Sequence, residues 1–197
     1  KGSYVSPFDQ GNGSIEINDY TNSYIYVADD DIELGSGDFC IEYWFMDKGM
    51  YGLAQTYNQT YEYNGYFQFG SSSGTGAIPF PSSGAATGLT AFTLYHNKGS
   101  TNASGAKFDV SSINNSGNGW FQTTGNAIIN PLTWYHMAIV RESNEIKLYF
   151  DGTRMPFAST YTNSVNYTFD RLAIGGGYAQ YAIMNGYISN FRLVVGS

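Results

Sequence analysis

Trp134-Tyr135-His136-Met137-Ala138-Ile139-Val140-Arg141, then Glu142-Ser143-Asn144, then Glu145-Ile146-Lys147-Leu148-Tyr149-Phe150 and Asp151-Gly152: this stretch decides the fold. The first run alternates with period two, the spacing of a strand whose faces differ. Its polar break is too short for anything but a hairpin connection. The run from Glu145 to Phe150 alternates charged and apolar residues, so the Lys147 face is expected wet and the Ile146, Leu148 and Phe150 face buried. Asp151-Gly152 then supplies a second tight turn, because both residues tolerate positive φ.

Working outward, the same period recurs nearly everywhere. Ser14 to Ile17, Tyr24 to Val27, Ile41 to Phe45, Tyr66 to Phe69, Ala91 to Tyr95, Leu172 to Ile174 and Gly186 to Val195 are short aromatic or β-branched runs bounded by Gly, Asn, Asp or Ser. No window of helical spacing exceeds about two turns, and Ala, Leu, Lys and Glu are too sparse to fill one. Gly/Ser/Asn/Pro clusters between Ser71 and Asn118 read as surface loops interrupted by strand-like pieces. The expectation is an all-β chain, residues 1–197 forming a single domain. Its architecture is an antiparallel β-sandwich jellyroll of about a dozen strands in two sheets.

Composition narrows the function classes. The 197 residues carry 9 Lys plus Arg against 16 Asp plus Glu, a net charge of −7, which argues against a nucleic-acid partner. Charged residues are only 13% and aromatics 17%, the opposite of a disordered chain. No run of about eighteen apolar residues encodes a membrane span. The lone Cys40 cannot close an internal disulfide, which excludes a disulfide-stapled or Cys-rich zinc module. Lys1 reads as a processed or cut end.

The hairpin, with Leu148-Tyr149-Phe150-Asp151-Gly152-Thr153, resembles the central signature of the laminin G-like, concanavalin A-like jellyroll domains. Phe8-Asp9 to Val27, Gly37-Asp38-Phe39-Cys40-Ile41-Glu42-Tyr43-Trp44-Phe45, Leu172 to Gly176 and Asn185 to Val194 match further strands in order. The closing run Gly186 to Val195 is similar to a subgroup found in tail, fibre and capsid-associated proteins of marine bacteriophages; further chain often follows in that subgroup, so Ser197 reads as a fragment end. The resemblance implies a non-catalytic surface module on a virion or cell exterior. It also implies frequent calcium binding at the sandwich rim.

Catalytic patterns are weak. Glycosidases on this fold use Glu, a residue, Asp and a second Glu, with carboxyl groups about 5 Å apart. No glutamate here has Asp two positions later. Gly70-Ser71-Ser72-Ser73-Gly74 fits a nucleophile elbow only formally, since no helix pattern follows it. His136 shares a strand face with Trp134, Ala138 and Val140, and a packed, hydrogen-bonded role is favoured over a ligand or base. Asp29, Asp31 and Asp38 are candidate calcium ligands, with a solvated turn capping local amides as the favoured alternative.

Aromatic residues are the most informative feature. Tyr51, Tyr57, Tyr61, Tyr63 and Tyr66 crowd one region beside Asn58, Gln59, Asn64 and Gln68. Aromatic platforms beside amides suit a sugar ring, and equally a protein surface; alternate tyrosines also pack sandwich faces, and some here must serve the core. Candidate binding residues are therefore Tyr51, Tyr57, Tyr61, Tyr63, Asn64 and Trp120, although either Trp120 or Phe121 has to point inward. The chain reads as a recognition module for glycans or a host surface, not an enzyme, needing no cofactor other than calcium where calcium binds. A self-assembling homo-oligomeric or virion subunit, pairing through sheet edges, is the alternative reading. A polysaccharide-active enzyme is the third.

Overall fold

A computed structural model describes residues 13–18, 23–29, 32–48, 63–70, 92–97, 107–114, 117–160, 162, 164–176 and 184–196. Its strands are β1 (Ile15–Ile17), β2 (Ile25–Ala28), β3 (Phe39–Asp47), β4 (Tyr63–Gly70), β5 (Phe92–Asn97), β6 (Lys107–Asn114), β7 (Gly117–Gln122), β8 (Trp134–Glu142), β9 (Glu145–Phe150), β10 (Thr153–Met155), β11 (Arg171–Ile174) and β12 (Gly186–Val195). They form two six-stranded sheets, ordered β1-β12-β3-β8-β9-β10 and β2-β11-β4-β5-β6-β7. Every pairing within them is antiparallel. Among the described residues no helix is long and apolar enough to cross a membrane.

The hairpin expected from the sequence is β8–β9, with Glu142 opposite Glu145. Ser143 and Asn144 both adopt positive φ (50° and 66°), and so do Asp151 and Gly152 (47° and 74°) in the turn to β10. Two-residue turns of this hand match the right-handed twist of their flanking strands. Asp151 locks its turn in place. Its Oδ1 accepts from the His136 amide at 2.7 Å, while its own amide donates to the His136 carbonyl at 2.8 Å. On β9, Ile146 and Leu148 are buried and Phe150 packs against the core.

Between the sheets lies an aromatic core. Tyr43, Phe45, Tyr66, Phe67, Phe69 and Phe108 are fully buried. Phe45 and Tyr66 rings from opposite sheets sit 4.7 Å apart, and Tyr135 stacks on Phe150 at 5.0 Å. Each such ring contributes roughly 1.5–3 kcal/mol through burial. The ladder β4–β5 shifts register between Gly65 and Phe67. This irregularity inserts Tyr66 as an extra residue, so that Tyr66 and Phe67 both reach the core although they are consecutive. Burial drives the Tyr43 and Tyr66 hydroxyls well above the ordinary tyrosine range, and the nearby Asp47 charge adds to the effect. Both phenols stay neutral.

Candidate functional site

Strand β3 alternates strictly from Phe39 to Phe45. Phe39, Ile41, Tyr43 and Phe45 are buried, while Cys40, Glu42 and Trp44 are half-buried on the outer face of the first sheet. On β8, beside it, Tyr135, Met137, Ile139 and Arg141 point inward, and Trp134, His136 and Val140 point out. The register sets Trp44 opposite His136 and Glu42 opposite Ala138. The Trp44 and His136 rings lie 5.2 Å apart, tilted by 49°. His136 therefore packs as its strand pattern suggests, but against an indole on the solvent side.

The other flank comes from β12. There the ladder with β3 shifts register between Ser189 and Arg192. Asn190 absorbs the extra residue at φ 52°, a conformation that asparagine tolerates better than most. Past the irregularity, Phe191 turns inward and stacks on Tyr43 at 5.7 Å. Arg192 faces outward opposite Glu42. Its Nη1 donates to Glu42 Oε1 at 3.0 Å, while His136 Nε2 lies 3.8 Å from Glu42 Oε2. One carboxylate thus faces a cation from β12 and an imidazole from β8. Glu42, Trp44, His136, Asn190, Phe191 and Arg192 line a cavity of about 520 Å³. That volume falls within the range of small-molecule sites, about 300–1,000 Å³.

Tyr51, Tyr57, Tyr61 and Asp31 lie outside the described residues. Tyr63 and Asn64 open β4, paired in register with Asn97 and His96. Trp120 sits in β7 opposite Ser111, and its neighbour Phe121 packs against the core. Tyr66 belongs to the core.

Asp38 and Asp29, the two described members of the aspartate set, both make loop contacts. Asp38 Oδ1 accepts from the Ser143 amide at 2.9 Å, and its carbonyl accepts from Gly196 N at 2.7 Å. The Asp29 amide donates to the Asp170 carbonyl at 3.1 Å. Among the described residues no three His, Cys, Asp or Glu side chains converge as a metal site.

Neither Glu42 nor Arg192 stands out in the sequence. The readable signal was the β3 alternation itself, which puts Glu42 and Trp44 on one face. Which residues on other strands join them depends on β8 and β12 lying alongside, and on the irregularity at Asn190.

The two layers, their strand order and this register define a concanavalin A-like β-sandwich. Residues 19–195 match the laminin G family model described as the concanavalin A-like lectin/glucanases superfamily, and the chain belongs to that family. No curated protein matches the chain in sequence. Among solved structures, mouse laminin alpha1 chain domains LG4-5 are similar with a TM-score of 0.57 at 15% identity, over 93% of this chain and 40% of that one. A heptameric SAP-like pentraxin from Limulus polyphemus gives 0.59 at 11% identity, over 92% and 75% of the two chains. The CBM40 of the Ruminococcus gnavus IT-sialidase gives 0.56 at 11% identity, over 93% and 91%. These likenesses establish the fold. The chain spans well under half of the laminin chain it resembles.

Proposed function

We propose that this chain is a non-catalytic recognition module on a virion or cell exterior, and that it binds glycans through the outer face of its first sheet. The observation that carries this reading is the ring pair Trp44–His136 beside the Glu42–Arg192 ion pair within one open cavity. An aromatic face matches the C–H face of a sugar ring, and fixed polar groups at its rim match the hydroxyls. The fold's company supports it: the Ruminococcus gnavus module has also been solved with alpha2,3 sialyllactose, at 11% identity and a TM-score of 0.51. The virion setting rests on the similarity of the closing run Gly186 to Val195 to phage fibre and tail proteins.

Binding without turnover is the better account of the cavity. Glu42 is the one carboxylate among the described residues lining it, and it is engaged by Arg192. Glycoside cleavage needs a second carboxyl group, about 5 Å away for retention or about 6.5–9.5 Å for inversion.

Glycan-array screening followed by calorimetry, each with and without calcium, tests the reading. Saccharide binding that is lost in Trp44→Ala supports it. No binding to any saccharide under either condition overturns it. The calcium arm also reports on Asp29, Asp31 and Asp38, and Tyr51, Tyr57, Tyr61, Tyr63, Asn64 and Trp120 remain the second set of side chains to substitute.

A further inference from the structure

The charges in the cavity specify more than sugar in general. Arg192 is already matched by Glu42 at 3.0 Å, so the pair has no net charge. His136 lies on the far side of the same carboxylate, at 3.8 Å. A ligand carboxylate approaching Arg192 would meet Glu42 beside it, at a cation whose charge is already balanced. Like charges this close repel.

A hydroxyl group has no such conflict. It can donate to the carboxylate and accept from the guanidinium at once, and two neighbouring hydroxyls can do so side by side. Because the ion pair holds both side chains in one geometry, less freedom is lost when a ligand arrives. Asn190 adds one amide donor pair and one acceptor from the β12 irregularity, again without charge. Trp44 supplies the apolar face, its ring braced by His136.

We infer that the cavity takes a neutral, polyhydroxylated sugar ring and discriminates against acidic sugars. This rests on the glycan-binding reading and narrows it to a ligand class. Glu42 and Arg192 together bind a vicinal diol, and Trp44 packs against the ring. The overall charge of −7 acts in the same direction by repelling anionic chains at long range.

The test uses pairs in which only one member carries a carboxylate. Lactose is compared with 3′-sialyllactose, and methyl glucoside with methyl glucuronide, alongside an array of neutral oligosaccharides. Binding is read by calorimetry and by ligand-observed NMR on the whole chain at neutral pH. The expected result is binding to at least one neutral glycan, at least tenfold stronger than to any acidic counterpart. That binding should be abolished in Trp44→Ala and weakened at least tenfold in both Glu42→Gln and Arg192→Ala. Circular dichroism on each variant confirms that the fold is kept, and Arg192→Lys serves as a milder second substitution. Tighter binding of the acidic member of a pair overturns the inference while leaving glycan recognition intact. Neutral binding that survives Trp44→Ala overturns the site. Silence across every saccharide removes the underlying reading as well.

Discussion

Arg141 Nη2 donates to the carbonyl of Gly35 at 2.7 Å, joining residues 106 apart in sequence. The same guanidinium reaches the Gly37 carbonyl through Nε at 2.7 Å and the Val165 carbonyl through Nη1 at 2.8 Å. It lies over the Phe39 ring at 4.8 Å and the Tyr167 ring at 5.4 Å. Arg141 is fully buried on the inner face of β8. Its planar fork gathers two loops, 34–37 and 165–167, that are also bridged by paired Gly35 and Tyr167 backbone bonds of 3.0 Å each. Arg141→Met removes all of these hydrogen bonds from one buried position and should cost at least about 3 kcal/mol. Arg141→Lys, a point charge that cannot serve them all, should fall between. Urea unfolding measures both; a loss below about 1 kcal/mol for Arg141→Met would show that the guanidinium does not hold the loops.

The ion pair on the outer face behaves differently. Arg192 is 66% exposed, so solvent screens its attraction to Glu42. Arg192→Ala should change stability by no more than about 1 kcal/mol. Thermal denaturation then separates the two arginines, with Arg141 governing the fold and Arg192 the cavity. A drop for Arg192→Ala comparable to that for Arg141→Met would contradict this division.

Much of the architecture was legible because alternation and turn chemistry are local. The β8–β9 hairpin, its buried Ile146 and Leu148 face and the Asp151-Gly152 turn follow from residues within a few positions of one another. The Tyr-rich stretch was harder to read. Tyr66 belongs to the core, since the irregularity after Gly65 turns two consecutive aromatics inward. The cavity was harder still: Arg192 and Glu42 are 150 residues apart, and their meeting depends on strand order. Nothing short of that order distinguishes Glu42 from any other outward glutamate on a strand.

Acid should loosen the start of the first sheet. The hydrogen bond from Lys48 holds the Glu16 carboxyl below the ordinary glutamate value of 4.5, and Lys48 also donates to Asn18 Oδ1 at 3.1 Å and lies 5.1 Å from the Tyr187 ring centre. A carboxyl whose folded-state pKa is depressed stabilises the fold fully above its unfolded value, and that contribution disappears as pH falls through the depressed one. Wild type should therefore be more stable than Glu16→Gln at pH 6, with the two converging well below pH 4.5. Melting temperatures across that window check it, and a gap that widens on acidification would reverse the assigned sign.

Gly186 begins β12 where that strand crowds β3. A Cβ at this position would lie 2.1 Å from the Met46 carbonyl oxygen and 2.9 Å from the Met184 Cε. Met184 is flexible and can move. The Met46 carbonyl belongs to the backbone of a central strand and cannot move without breaking the β3–β12 ladder, in which Gly186 opposes Asp47 and Tyr187 opposes Met46. Gly186→Ala should thus cost about 3 kcal/mol or more through overpacking. Because the ladder beyond it carries Asn190 and Arg192, the same substitution should also weaken any ligand bound at Glu42 and Trp44. Amide hydrogen exchange along β12 reads both effects: protection should fall from Tyr187 through Arg192 while the β8–β9 hairpin keeps its own. Uniform loss across both sheets would instead show that the strand responds only as part of global unfolding.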